Sequence, residues 1–152
     1  MSRLSDIPIR MEPATRTAGL GGGVAAVLSE LSGLLEALAG GGPPATIDLR
    51  SLPMSPHDRE ELQIALGEGE IKATLEADGL SNLRETGVSG VWWVEHRDRH
   101  GELVAELLEI TRVPQILESA PDEMARDARD LRERISILSR APAPGKDHAK
   151  RQ

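Results

Sequence analysis

Apolar residues in this chain recur at helical spacing from Val24, switch to strict alternation at Glu70, and return to helical spacing at Met124. A period near 3.6 belongs to a helix with one buried stripe, and a period of 2 to a strand with one buried face. Two changes of period within 152 residues therefore call for helices and sheet in one fold. In the first stretch Val24, Val27, Leu28, Leu31, Leu34, Leu35 and Leu38 fall on one stripe. The opposite side is small rather than charged (Ala25, Ala26, Ser29, Ser32, Gly33, Ala37), a weakly solvated back face or a seam for a second helix. Gly40-Gly41-Gly42-Pro43-Pro44 ends the element.

Residues 46–49 read as a short strand, and Ser55-Pro56 as an N-cap followed by proline at the first helical position. Leu62, Ala65 and Leu66 supply the inward side of that helix, and Gly67 closes it. In the alternating run 70–76, Ile71, Ala73 and Leu75 are expected to face the core. Asp78-Gly79 marks a turn, and strands are expected near 82–85, 90–96 and 102–110, the last two joined by the polar turn 97–101. A final helix starts near Pro121 with the stripe Met124, Ala128, Leu131, Ile135 and Leu138. The order predicts an α+β fold, an antiparallel sheet of about four strands with helices packed on one face. The expected organisation is a flexible arm over 1–22, a single domain over 23–139 and a disordered tail over 140–152.

Composition narrows the chemistry. With no cysteine, the chain offers no disulfide, no thiolate nucleophile and no Cys-ligated zinc or iron–sulfur cluster. With no Phe or Tyr and only the adjacent Trp92 and Trp93, the core must be aliphatic and no extended base-stacking platform is available. A net charge of −7 opposes general binding to nucleic acid or anionic membranes and favours a partner with a basic patch. No run approaches the roughly 20 apolar residues of a membrane span, and a secretory signal is not expected, so a cytoplasmic location is.

The candidate catalytic and metal constellations are weak. His96 and His100 have an i,i+4 step but flank a turn rather than lie on a helix, with Asp98 between them. Glu68 and Glu70 could imitate a carboxylate pair, yet Gly69 between them reads as turn-forming. There is no GxSxG elbow, and the Gly-rich segments lack a phosphate-loop lysine. The expectation is a protein with no catalytic residues, no metal and no cofactor. What remains is the cluster 85–93, in which adjacent Trp92 and Trp93 must point to opposite faces of a strand, one into the core and one towards a far face or edge.

The same segment carries a family resemblance. Leu66-Gly67-Glu68-Gly69-Glu70, Glu85-Thr86, Gly90-Val91-Trp92, and Glu109-Ile110 with Val113-Pro114-Gln115-Ile116-Leu117 resemble, in that order, the conserved-region motifs of the HupH/HyaF/HoxQ hydrogenase expression proteins. The segment 47–53 and the helix after it also fit, so the likeness spans about residues 24–138. It implies a role in maturing membrane-associated nickel–iron hydrogenases. The partner would be the small-subunit precursor, which carries a twin-arginine export signal and receives iron–sulfur clusters, or another maturation factor. Many relatives are longer and hold two related units, and Ser89 and Trp93 stand where relatives often have a proline and a polar residue. On this reading the contact residues are Glu68, Gly69, Glu70, Glu85, Thr86, Gly90, Val91, Trp92 and Trp93, with no nucleic acid and no membrane insertion. The competing expectations are a homodimeric self-association module, built on the small-residue face and one Trp, and a hydrolase or metal site at Glu68/Glu70 or His96/His100.

Overall fold

A computed structural model of the chain describes residues 20–140. The expected arm and tail therefore lie almost wholly outside the described residues. The chain divides into two compact units that meet between Arg112 and Val113.

The first unit contains α1 (Gly22–Ala39), β1 (Ala45–Asp48), α2 (Pro56–Leu66), β2 (Lys72–Glu76), β3 (Leu80–Glu85), β4 (Val91–Arg97) and β5 (Leu103–Ile110). All neighbours in the sheet are antiparallel, in the order β1-β5-β4-β3-β2. The sheet has five strands rather than about four. The third begins directly after the Asp78-Gly79 turn, because Leu80 already pairs with Glu76, and the short edge strand β1 completes the count by pairing with β5. β1 and β2 occupy opposite edges, so the connection through α2 must traverse one face of the sheet.

That face is the core. Val24, Val27, Leu31 and Leu38 of α1 and Leu62 and Leu66 of α2 bury against Ile47, Val91, Trp93, Leu108 and Ile110. Each fully buried aliphatic side chain contributes about 1.5–3 kcal/mol relative to exposure. α1 is long and apolar enough to cross a membrane by length and composition, though Glu30 and Glu36 interrupt it; its stripe packs against this core. α2 begins at a capping box: Ser55 Oγ accepts from the Asp58 N–H, and the Asp58 carboxylate accepts from the Ser55 N–H at 2.8 Å. The Ser55 hydroxyl, which donates to the same carboxylate at 2.7 Å, and then the Ser55 N–H hold the Asp58 carboxyl below its usual range. Ala65, expected inside, is exposed; only Leu62 and Leu66 of that group are buried.

The alternating run 70–76 has the expected period, and Ala73 and Leu75 are its more buried side as expected, but that side is not the one α1 and α2 cover. Register pairs Ala73 with Leu83 and Leu83 with Val94, which puts Ala73 and Leu75 on the side away from α1 and α2. Ile71 precedes the strand and is 50% exposed. Alternation in an edge strand fixes that two faces differ, not which face the helices choose.

The second unit contains the 3-10 turn Gln115–Leu117 and α3 (Pro121–Arg140). No residue of α3 is buried, and its stripe of Met124, Ala128, Leu131, Ile135 and Leu138 is exposed along its whole length.

Candidate partner-binding site

The residues singled out in the sequence converge at one end of the sheet, where the α2–β2 linker meets the β3–β4 turn. The Gly69 N–H donates to the Glu85 carbonyl, the Gly87 N–H to the Leu66 carbonyl, and the Glu85 N–H to the Ile71 carbonyl, each at 2.9 Å. A Cβ at Gly69 would lie 2.6 Å from the Thr86 carbonyl oxygen, so only glycine permits this approach of the two backbones. Thr86 is buried; its Oγ1 accepts from the Val88 N–H at 3.2 Å and donates to the Val91 carbonyl at 3.0 Å. Gly90 sits at φ +83, and its carbonyl accepts from the Thr111 N–H, tying the turn to the end of β5.

This knot divides the candidate residues by role. Thr86, Val91, Trp92 and Trp93 are buried, so they shape the site from within. Trp92 and Trp93 do point to opposite faces, and both are covered, at 4% and 1% exposure. Trp93 pairs with Leu108 on the helix side, and Trp92 with Glu109 on the other. Solvent meets instead the carboxylates of Glu68 and Glu70, both exposed, and of Glu85, which is half-buried with its stem against Gly69. Glu68 pairs loosely with Lys72 at 3.3 Å between two exposed side chains, an interaction contributing about 1 kcal/mol or less. At the surface, this end of the sheet is an acidic rim on a rigid backbone clamp.

The constellations expected to be weak are placed as follows. The His96 Nδ1 is 2.8 Å from Ser81 Oγ, while His100 lies exposed in the turn. One oxygen of Asp98 accepts from the backbone N–H groups of His100 and Glu102. Among the described residues no group of three or more His, Asp and Glu side chains gathers as a metal site.

Sequence reasoning did not single out two further features of the helix-side face. Glu106 is buried on β5 and lies 3.1 Å from the Arg59 Nε of α2. This is an ion pair whose N–H direction falls short of a hydrogen bond. Beyond the reach of the helices, a cavity of about 270 Å³ opens over β2, β3 and β4, lined by Lys72, Thr74, Asn82, Arg84, Trp93 and Glu95 among others. The Arg84 guanidinium lies over the Trp93 ring, 4.8 Å from its centroid, an attraction of about 0.5–1 kcal/mol or more. On the opposite face, Glu109 is raised above its usual pKa, chiefly by desolvation, with His96 pulling it back.

Comparison with known proteins accounts for the order of these motifs. Residues 23–138 match the family described as HupH hydrogenase expression protein, C-terminal conserved region. The chain is 32% identical over 90 residues to the hydrogenase expression/formation protein HoxQ of Azotobacter vinelandii, covering 59% of this chain and 32% of that protein. It is 28% identical over 107 residues to HupH of Rhizobium leguminosarum bv. viciae (70% and 38%), and 31% identical over 98 residues to the hydrogenase-1 operon protein HyaF of Escherichia coli K12 (64% and 34%). It thus spans roughly a third of the length of these relatives. Among solved structures, the hydrogenase expression protein HupH of Thiobacillus denitrificans superposes with a TM-score of 0.73 at 36% identity, covering 77% of this chain and 98% of that one. The chain belongs to the HupH hydrogenase expression protein family, through its C-terminal conserved region.

Proposed function

We propose that this domain is a non-catalytic accessory factor in nickel–iron hydrogenase maturation, working in the cytoplasm. It holds the hydrogenase small-subunit precursor while iron–sulfur clusters are inserted and before export. The observation that carries this reading is the match over residues 23–138 to a family whose relatives are named hydrogenase expression or formation proteins. The rim of Glu68, Glu70 and Glu85 on a chain of net charge −7 supports it, because long-range attraction favours a basic export signal. A cysteine-free chain acts on clusters only indirectly, by shielding the apoprotein.

The test is binding of the full chain to the small-subunit precursor, with and without its signal peptide, at low and moderate salt. Binding that requires the signal, weakens with salt and is lost when the three glutamates become lysines is the expected result. No binding to either form of the precursor would overturn it.

A second reading, self-association, is favoured by the apolar stripe of α3, which is exposed among the described residues. The small-residue side of α1 is also exposed, but neither indole is free to join such a seam. A tight dimer in sedimentation, combined with no affinity for the precursor, would select this reading.

A further inference from the structure

We infer that the cavity over β2, β3 and β4 is a binding site for a single carboxylate group, supplied by a small monocarboxylic acid or by an acidic side chain of an extended polypeptide. The inference does not depend on the hydrogenase assignment. Register builds the site: Lys72 stands opposite Arg84 and Arg84 opposite Trp93, while in the next row Thr74, Asn82 and Glu95 align. These residues share the face that α1 and α2 cover elsewhere, so the sheet's core side continues past the helices into a mainly apolar recess with a few polar groups in its lining.

The chemistry of the lining is rich in donors. Among the described residues Arg84 makes no ion pair; its guanidinium carbon lies 4.8 Å from the Trp93 ring centroid, and its N–H donors remain to be used by a ligand. Among the described residues Lys72 pairs only with the exposed Glu68, which a ligand can displace at little cost. Thr74 Oγ1 donates to Asn82 Oδ1 at 3.1 Å, which orients the amide and leaves its NH2 free. Trp93, in the same lining, has a buried indole N–H with no acceptor among the described residues. The Trp92 indole N–H also lacks one there, but Trp92 does not line the cavity.

Two magnitudes narrow the ligand. Sites for drug-sized molecules run to about 300–1,000 Å³, so about 270 Å³ suits one side chain or a small acid rather than a nucleotide. Glu95 is in the lining and is only loosely held by Arg97, at 3.5 Å. A fork of guanidinium donors fits a carboxylate with two parallel bonds, and the repulsion from Glu95 is weaker for a singly charged carboxylate than for a doubly charged phosphate. β2 is an edge strand, so an extended polypeptide could pair along it and deliver its carboxylate from the side.

The experiment follows the Trp93 indole N–H resonance of the full chain during titration with butyrate, with inorganic phosphate, and with a capped five-residue peptide carrying one central Glu or, as control, Ala. The expected result is a saturable shift with butyrate or the Glu peptide, none with the Ala peptide, and weaker binding of phosphate. Arg84→Gln should weaken carboxylate binding roughly tenfold or more, with Arg84→Lys intermediate. Lys72→Gln, at an exposed position that does not threaten folding, should weaken it several-fold. Tighter binding of the peptide with slowed amide exchange along β2 identifies a polypeptide source; equal binding of butyrate identifies a free acid. No saturable shift in any arm, an equal response to the Ala peptide, phosphate binding as tightly as carboxylate, or unchanged affinity in folded Arg84→Gln would each overturn the inference.

Discussion

Helices α1 and α3 carry apolar stripes of similar regularity, yet they end in opposite environments. In α1, Val24, Val27, Leu31 and Leu38 are almost fully buried against the sheet and α2. In α3, Leu131, Ile135 and Leu138 are more than half exposed, the last at 73%. Composition separates them. α1 has only Glu30 and Glu36 as charged residues and needs a core to cover its stripe, whereas ten of the twenty residues of α3 are charged. A helix so heavily charged stays in solution without burying its stripe, although an isolated helix of this length is only marginally stable in water. Periodicity therefore identifies a face that can be buried; it does not say by what.

Three substitutions would break or sharpen this contrast. Leu31→Ala should destabilise the full chain by about 2–5 kcal/mol, because it opens a cavity in a packed core. Leu131→Ala, at the matching place in α3, should change urea unfolding by no more than about 0.5 kcal/mol. A large loss at Leu131 would show that something covers the stripe of α3 in solution. Gly69→Ala tests whether the first unit is held by its backbone clamp as well as by its core. The added methyl group meets the Thr86 carbonyl, so a loss of about 1–3 kcal/mol is expected in the same assay. Unchanged stability would mean that the clamp yields.

The smallest effect concerns Glu109. Its folded-state pKa is raised, mainly by burial, so the native state holds that proton more tightly than the unfolded chain does. The resulting cost is absent below the ordinary glutamate pKa and complete once pH rises through the folded value. Glu109→Gln should accordingly stabilise the protein slightly at neutral pH and leave it unchanged at acid pH. Urea midpoints at the two pH values test the sign.

Much of the candidate site was legible, though for mixed reasons. The carboxylates of Glu68, Glu70 and Glu85 were found as charged residues beside turn glycines, and they do meet solvent at one end of the sheet. The buried roles of Thr86 and Val91 were hidden, because a hydroxyl bonded to two backbone groups looks the same in sequence as an exposed one. The Lys72–Arg84–Trp93 row was missed for lack of register. A signal existed, since a turn centred at Asp78 already sets Lys72 opposite Arg84. Nothing local, however, indicates that the helices stop short of that row.

The sequence by itself determined the α+β class, the positions of the helices and strands to within a few residues, the aliphatic core and the opposed faces of Trp92 and Trp93. Each of these follows from local spacing, caps and side-chain alternation. Only the tertiary structure decided that all five strands join one sheet, that Ala73 and Leu75 face away from the helices, that both indoles are covered, and that a recess lined by Lys72, Arg84 and Trp93 opens over β2, β3 and β4. Those outcomes depend on which strands become edges and how far two helices reach across a sheet. Both are set by packing among residues distant in the chain.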